Sequence, residues 1–196
     1  METTKHIEPE PEQEPEDATE NKGYVHIYTG DGKGKTTAAF GLAVRALMAG
    51  KKVFIGQFVK SMKYHETRLA DCAGVEGLTI KQFGNGCFIY NNPPTAEDKA
   101  MAVEGLAELE GVLSNGQTVA DVVVFDEVTI ALRYDLIKVE EVVRVIRERD
   151  PGVEVVVTGR GAPEELIRLG DVVTEMKCIK HYYQDQGVLA RDGIER

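Results

Sequence analysis

The chain has 196 residues, 42% of them hydrophobic and 29% charged, with a net charge of −10. That is the length of one domain with room for a full core, and no apolar run approaches the ~20 residues of a membrane span. The negative balance argues against nucleic acid as a main partner, because a phosphate backbone calls for a basic face. The charge is uneven: residues 1–22 hold eight acids against two lysines, so a domain starting at residue 23 is far closer to neutral. This acidic, Pro-rich opening has little to bury and reads as a disordered tail. It also lacks the apolar core of a signal peptide. Three widely spaced cysteines, Cys72, Cys87 and Cys178, suit a reducing compartment and read as buried thiols. The expected location is the cytoplasm.

From Tyr24 the pattern becomes short apolar runs alternating with helical stretches. Tyr24-Val25-His26-Ile27 reads as a strand. A glycine-rich turn follows over Gly30-Asp31-Gly32-Lys33-Gly34-Lys35-Thr36-Thr37, and a helix opens at Ala38 and ends at Gly50. Val53–Phe58 is a second strand, followed by a polar stretch containing Lys60, Lys63, His65, Glu66 and Arg68 and then a short helix. Leu78–Ile80 reads as a short strand, and residues 84–94 are too rich in turn formers for a regular element, yet carry Phe88, Ile89 and Tyr90. Thr95 caps a long helix whose buried face is read as Val103, Leu106, Leu109 and Leu113. Val122–Phe125 is continuously apolar, as expected of a parallel strand covered on both faces, and ends in Asp126-Glu127. A helix over 138–149 buries Val139, Val142, Val143 and Ile146. Val153–Thr158 is the next strand, followed by Gly159-Arg160-Gly161 and a short helix opened by Pro163. A final strand spans Asp171–Glu175. Alternation of this kind predicts an α/β domain with a mainly parallel central sheet flanked by helices, its ligand site at the strand C-terminal edge.

Strand, glycine-rich turn, Lys-Thr and helix is the setting in which a loop wraps a phosphate chain. Backbone N–H groups converge on the anion and the helix adds its positive end. Gly30, Asp31, Gly32, Lys33, Gly34, Lys35, Thr36 and Thr37 are therefore the candidate ATP-binding loop. Lys35 is assigned to the outer phosphate oxygens and the Thr36 hydroxyl to a metal ion. Asp126 and Glu127, at the end of a second strand, complete a hard-oxygen set with Thr36 for magnesium or manganese. Lys35, Thr36 and Glu127 are the catalytic candidates. Arg160 follows a strand toward the same edge and serves either as a phosphate contact or as a structural ion pair. Arg45, further along the first helix, is a candidate phosphate contact or a solvated helix charge. His26, His65 and His181 show no nucleophile–base constellation. One feature departs from the usual phosphate-loop spacing. That spacing needs a glycine where Thr29 stands, so the loop counted from Gly30 is one residue short.

With these residues in view, the chain resembles the phosphate-loop (P-loop) type of ATP:cob(I)alamin, or corrinoid, adenosyltransferases. The likeness rests on Thr29–Gly41, Gln57-Phe58-Val59-Lys60, Asp126-Glu127-Val128-Thr129 and Thr158-Gly159-Arg160-Gly161. Val173-Thr174-Glu175-Met176, Lys180-His181 and Gly193-Ile194-Glu195 extend it. The short loop is that family's own form. The resemblance implies a P-loop NTPase-like fold and transfer of the 5′-deoxyadenosyl group of ATP to the Co(I) of a reduced corrinoid, with triphosphate leaving. It further implies a homodimer, a reduced flavoprotein as electron donor, and aromatic side chains that expel the lower cobalt ligand. Phe88 and Tyr90 hold that place here, the alternative being that they anchor their loop to the core. The family's Trp is absent. The competing readings are a P-loop kinase or ATPase acting by phosphoryl transfer, and a nucleotide-dependent regulatory module.

Overall fold

The computed structural model describes residues 22–60, 64–72, 74–85 and 93–195. Among these residues six strands form one sheet: β1 (Val25–Thr29), β2 (Val53–Phe58), β3 (Leu78–Phe83), β4 (Val122–Asp126), β5 (Glu154–Thr158) and β6 (Val172–Glu175). Their order is β3-β2-β4-β5-β1-β6 and every pairing is parallel. Among the described residues six α-helices accompany them: α1 (Lys35–Met48), α2 (Ala96–Asn115), α3 (Val128–Arg133), α4 (Val139–Arg147), α5 (Glu164–Leu169) and α6 (Tyr182–Gln186). The P-loop NTPase-like α/β fold expected of the chain is the one observed. Among the described residues no helix is long and apolar enough to cross a membrane.

Burial follows position in the sheet. Central β2 and β4 are buried along their whole length, with one core of α1 side chains packed on Ile55, Val124 and Val156, and another of α2 to α5 side chains on Phe54, Val123, Phe125 and Val155. Edge strand β3 alternates half-buried and exposed positions up to its buried last residue, Phe83, and edge strand β6 is exposed at all four. Helix α2 sits unusually close to the sheet, because a Cβ at Gly56 would lie 2.5 Å from Leu109 Cδ1 and one at Gly105 would lie 2.6 Å from the Phe83 ring. That contact turns the helix so that Ala102, Gly105, Leu106, Leu109, Val112 and Leu113 face inward. Val103, read as core, is half exposed at 50%. Helix α4 buries Val145 with Val142 and Ile146, leaving Val139 and Val143 at the core's margin.

Other expectations shift as well. Strand β3 runs to Phe83, three residues beyond the apolar run that announced it, and α3 and α6 have no counterpart in the sequence reading. Cys72 is exposed and Cys178 half-buried, so neither is the buried thiol expected. Cys87, Phe88 and Tyr90 lie outside the described residues, as does the acidic tail up to residue 21.

Candidate functional site: a phosphate-loop cleft at the strand C-terminal edge

The loop between β1 and α1 is shaped by close contact with the chain after β6. Gly30 (φ 96°) and Gly34 (φ 119°) adopt conformations that side chains rarely take. A Cβ at Gly30 would lie 2.4 Å from the Met176 carbonyl oxygen, and one at Gly32 would lie 2.7 Å from the same atom. The Gly32 N–H donates to that oxygen at 2.7 Å, and Met176 N–H donates to the Thr29 carbonyl at 2.8 Å. The glycines thus admit the Met176 backbone behind the loop as well as shaping its open side. Replacing Gly30 by alanine adds both a positive-φ penalty and this clash, and should lower Tm by roughly 5–15 °C. Gly41→Ala, at a helix position with open space around it, is the control and should hold or raise Tm. Equal Tm values for the two variants would contradict the assignment.

Helix α1 starts with no side-chain cap and no acid in its first turn. Its first residues, Lys35 to Thr37, line the cleft with no side chain capping their N–H groups, an arrangement suited to an anion. The Lys35 side chain bends back beneath the loop, its Nζ donating to the carbonyls of Gly30 (2.7 Å) and Gly32 (2.6 Å). Burial pushes its pKa below the ordinary lysine value, with Arg160 acting the same way and Glu127 and Asp31 opposing. Lys33 donates to Glu195 Oε1 at 2.7 Å and to Tyr182 Oη at 3.2 Å, which draws the segment after α6 against the loop.

Next to the first turn of α1 lies a polar row that crosses the sheet at the ends of its strands. The register pairs Gln82 with Gln57 and Gln57 with Asp126. Strand β5 stands between β4 and β1, and its last residue, Thr158, completes the row. Asp126 is fully buried, yet each carboxylate oxygen accepts two hydrogen bonds. Oδ1 accepts from Thr36 Oγ1 (2.9 Å) and Thr158 Oγ1 (2.7 Å); Oδ2 accepts from Gln57 Nε2 (3.0 Å) and Lys60 Nζ (2.7 Å). Burial alone would raise the Asp126 pKa, but the Lys60 charge and the donors around it prevail and hold it below the usual carboxylate range. Glu127 goes the other way: burial and the Asp126 charge raise it, against the pull of Lys60, Lys35 and Arg160. Its backbone is left-handed (φ 59°), and its N–H donates to Thr158 Oγ1 at 3.0 Å. That conformation ends β4, starts α3 and turns the Glu127 side chain into the cleft wall.

The turn after β5 is fastened to α3. Thr129 Oγ1 donates to the Arg160 carbonyl at 2.8 Å, and a Cβ at Gly159 (φ 140°) would lie 2.0 Å from Thr129 Oγ1. This contact explains why the two segments Asp126–Thr129 and Thr158–Gly161 belong together. Arg160 is exposed at the cleft, and among the described residues its guanidinium makes no salt bridge, so the structural ion pair weighed for it is not seen.

Together these elements enclose a cleft of about 550 Å³ lined by Asp31 to Thr37, Glu127 and Arg160. Of the sequence-nominated residues, Gly30 braces the loop from behind and Asp126 lies beneath the wall. Arg45 is exposed in the last turn of α1 and does not line the cleft. His65 and His181, weighed as general bases, line it too, as do Tyr64 and, from segments marked only by the family likeness, Lys60 and Gly193–Glu195. Thr158 ends β5 and Lys60 stands two residues past the end of β2, the signal by which they could have been found. Glu195 carries no local signal, since its partner Lys33 is 162 positions away.

Thr36 and Glu127 bring one hydroxyl and one carboxylate to the cleft, hard oxygens of the kind a magnesium ion takes while keeping waters and phosphate oxygens. Asp126 lies behind them with each oxygen accepting two hydrogen bonds, so it would join such an ion only by exchanging a donor. Among the described residues no group of three or more His, Cys, Asp or Glu forms a full cage. His181 Nδ1 accepts the Tyr183 N–H at the start of α6.

A parallel sheet with this loop and an acid at the end of a second strand defines a nucleoside-triphosphate-binding protein of the phosphate-loop class. Comparison with known proteins narrows the class. The profile of the ATP:corrinoid adenosyltransferases BtuR/CobO/CobP matches residues 21–196. A corrinoid adenosyltransferase of Sinorhizobium sp is 37% identical over 186 residues, covering 90% of this chain and 82% of that protein. The corrinoid adenosyltransferase of Escherichia coli K12 is 36% identical, covering 91% and 88%, and CobA of Salmonella typhimurium LT2 is 35% identical with the same coverage. The chain belongs to the ATP:corrinoid adenosyltransferase family.

Proposed function

We propose that this protein transfers the 5′-deoxyadenosyl group of ATP to the Co(I) of a reduced corrinoid, in cobalamin biosynthesis or salvage, and releases triphosphate. The supporting observation is the convergence of Lys33, Lys35, Thr36, Glu127 and Arg160 on one cleft in a chain of this family. Cob(I)alamin or a related corrinoid supplies the nucleophile as substrate, so the protein needs no general base to create one. Its task is to hold the ribose C5′ in line with cobalt and to stabilise charge on the departing triphosphate. Lys35 and the first turn of α1 meet that charge from below the loop, with Lys33 and Arg160 at its sides. Thr36, Asp126 and Glu127 would hold the metal, Mg2+ or Mn2+, which supplies further positive charge at the phosphates when bound. A reduced flavoprotein is the proposed electron donor. A cytoplasmic homodimer is the proposed setting, with residues 1–22 as a disordered tail outside the catalytic domain 23–196.

The direct test is to mix the protein with ATP, magnesium and cob(I)alamin and follow the absorbance of adenosylcobalamin. Its growth with stoichiometric loss of ATP is expected; an unchanged corrinoid spectrum contradicts the reading. Phe88 and Tyr90 are assigned to the corrinoid, where they would displace the lower ligand of Co(II). Phe88→Ala should then depress activity at least tenfold more with Co(II) corrinoid plus reductant than with pre-reduced Co(I), a difference of about 1.4 kcal/mol. Equal losses in both assays would count against this role.

A further inference from the structure

Lys60 lies directly after an unusual turn. Val59, the residue that follows β2, is left-handed at φ 58° and buried, and a β-branched residue in that conformation is a genuine outlier. Two contacts hold it there. The Val59 N–H donates to the Phe83 carbonyl at 3.0 Å, and Gly84 packs so tightly that a Cβ on it would lie 2.7 Å from Val59 Cα. Backbone strain held in place by its surroundings clusters where a side chain must be aimed. Here the aimed side chain is Lys60, which lines the cleft. Its Nζ lies 2.7 Å from Asp126 Oδ2 and 5.5 Å from the centre of the Tyr64 ring, and the side chain is only 14% exposed. The other oxygen of the same carboxylate receives Thr36 Oγ1, from the first turn of α1. One buried carboxylate therefore fixes both the hydroxyl at the phosphate loop and an ammonium group of the same cleft.

We propose that Lys60 is a phosphate-binding residue of this cleft, held on Asp126 so that its ammonium group meets the anionic end of the nucleotide. The inference rests on the reading of the cleft as a triphosphate site. The competing role for a buried lysine on a buried aspartate is charge balance alone, and the two roles separate by experiment. An ammonium group has three donors, and one carboxylate contact leaves it able to serve a second anion. A lysine that only neutralises Asp126 becomes dispensable once Asp126 is neutral. A lysine that contacts phosphate does not.

The test is calorimetric titration of inorganic triphosphate into the full chain in EDTA, which removes metal and turnover from the readout. Wild type, Lys60→Met, Lys60→Arg and the double variant Lys60→Met/Asp126→Asn are compared. Lys60→Met should weaken binding about tenfold or more, as expected for loss of a charge-assisted contact. Lys60→Arg, which keeps the charge, should stay within about threefold of wild type. The double variant preserves the net charge of the pair and leaves no unpaired buried ion, so it carries the test even where Lys60→Met folds poorly. It should bind as weakly as Lys60→Met. Wild-type affinity in the double variant, or in all the variants, overturns the inference and leaves the triphosphate site standing. A wild-type protein that does not bind triphosphate overturns the site reading, and this inference with it.

Discussion

Replacing Lys35 by methionine should lower kcat/KM for ATP by about a hundred- to a thousandfold, the scale on which removing one charge-stabilising donor costs an active site. Methionine keeps the length and apolar character of the side chain, so the change isolates the ammonium group. That group sits beneath the loop on the carbonyls of Gly30 and Gly32, with Glu127 and Arg160 near enough to shift its titration in opposite directions. A triphosphate resting on the loop would lie over it, and a triphosphate that departs gains charge as the bond to C5′ breaks. The loss should therefore fall on kcat as well as on KM, because charge stabilisation that grows in the transition state raises kcat. Steady-state kinetics at saturating ATP checks this. Turnover near wild type under those conditions contradicts the assignment.

The second large effect is on stability. Asp126→Ala should cost about 3–5 kcal/mol and lower Tm by roughly 6–20 °C, because it leaves the buried Lys60 ammonium uncompensated. Thr36, Thr158 and Gln57 lose their shared acceptor in the same step. The variant Lys60→Met/Asp126→Ala removes both charges and should recover part of the loss, since an absent ion pair costs less than half of one. Thermal unfolding of the three proteins measures the coupling. A Tm for Asp126→Ala within two or so degrees of wild type would mean that Lys60 finds another partner and that the row across the sheet is not a unit.

The phosphate loop was legible because its chemistry is local: Gly30 to Thr37 carry turn, lysine, hydroxyl and helix start in one run. The strands buried on both faces were equally plain. Edge strand β3 was read short because Lys81 and Gln82 interrupt its apolar run, although the alternation is what an edge position calls for. The buried face of α2 was misread at Val103 because the contact with the sheet is made by Gly105 and Ala102, and small residues are silent in an apolar period. Asp126 and Glu127 were recognised from their place at a strand end, but not their partners. Gln57, Lys60 and Thr158 reach Asp126 only through the strand order, which inserts β5 between β4 and β1. No spacing along the chain encodes that neighbourhood. The same holds for Glu195, brought to Lys33 by the fold of the segment after β6.

The family likeness and the cleft together make a claim that phosphate-loop chemistry alone does not. The loop would hold the triphosphate as a leaving group, and the bond broken would be at carbon rather than phosphorus. Phosphorus NMR of the reaction with ATP, magnesium and a Co(I) corrinoid tests this most directly. Intact triphosphate appearing in step with adenosylated corrinoid is the predicted result; ADP with orthophosphate or a phosphorylated acceptor as the primary product would contradict it.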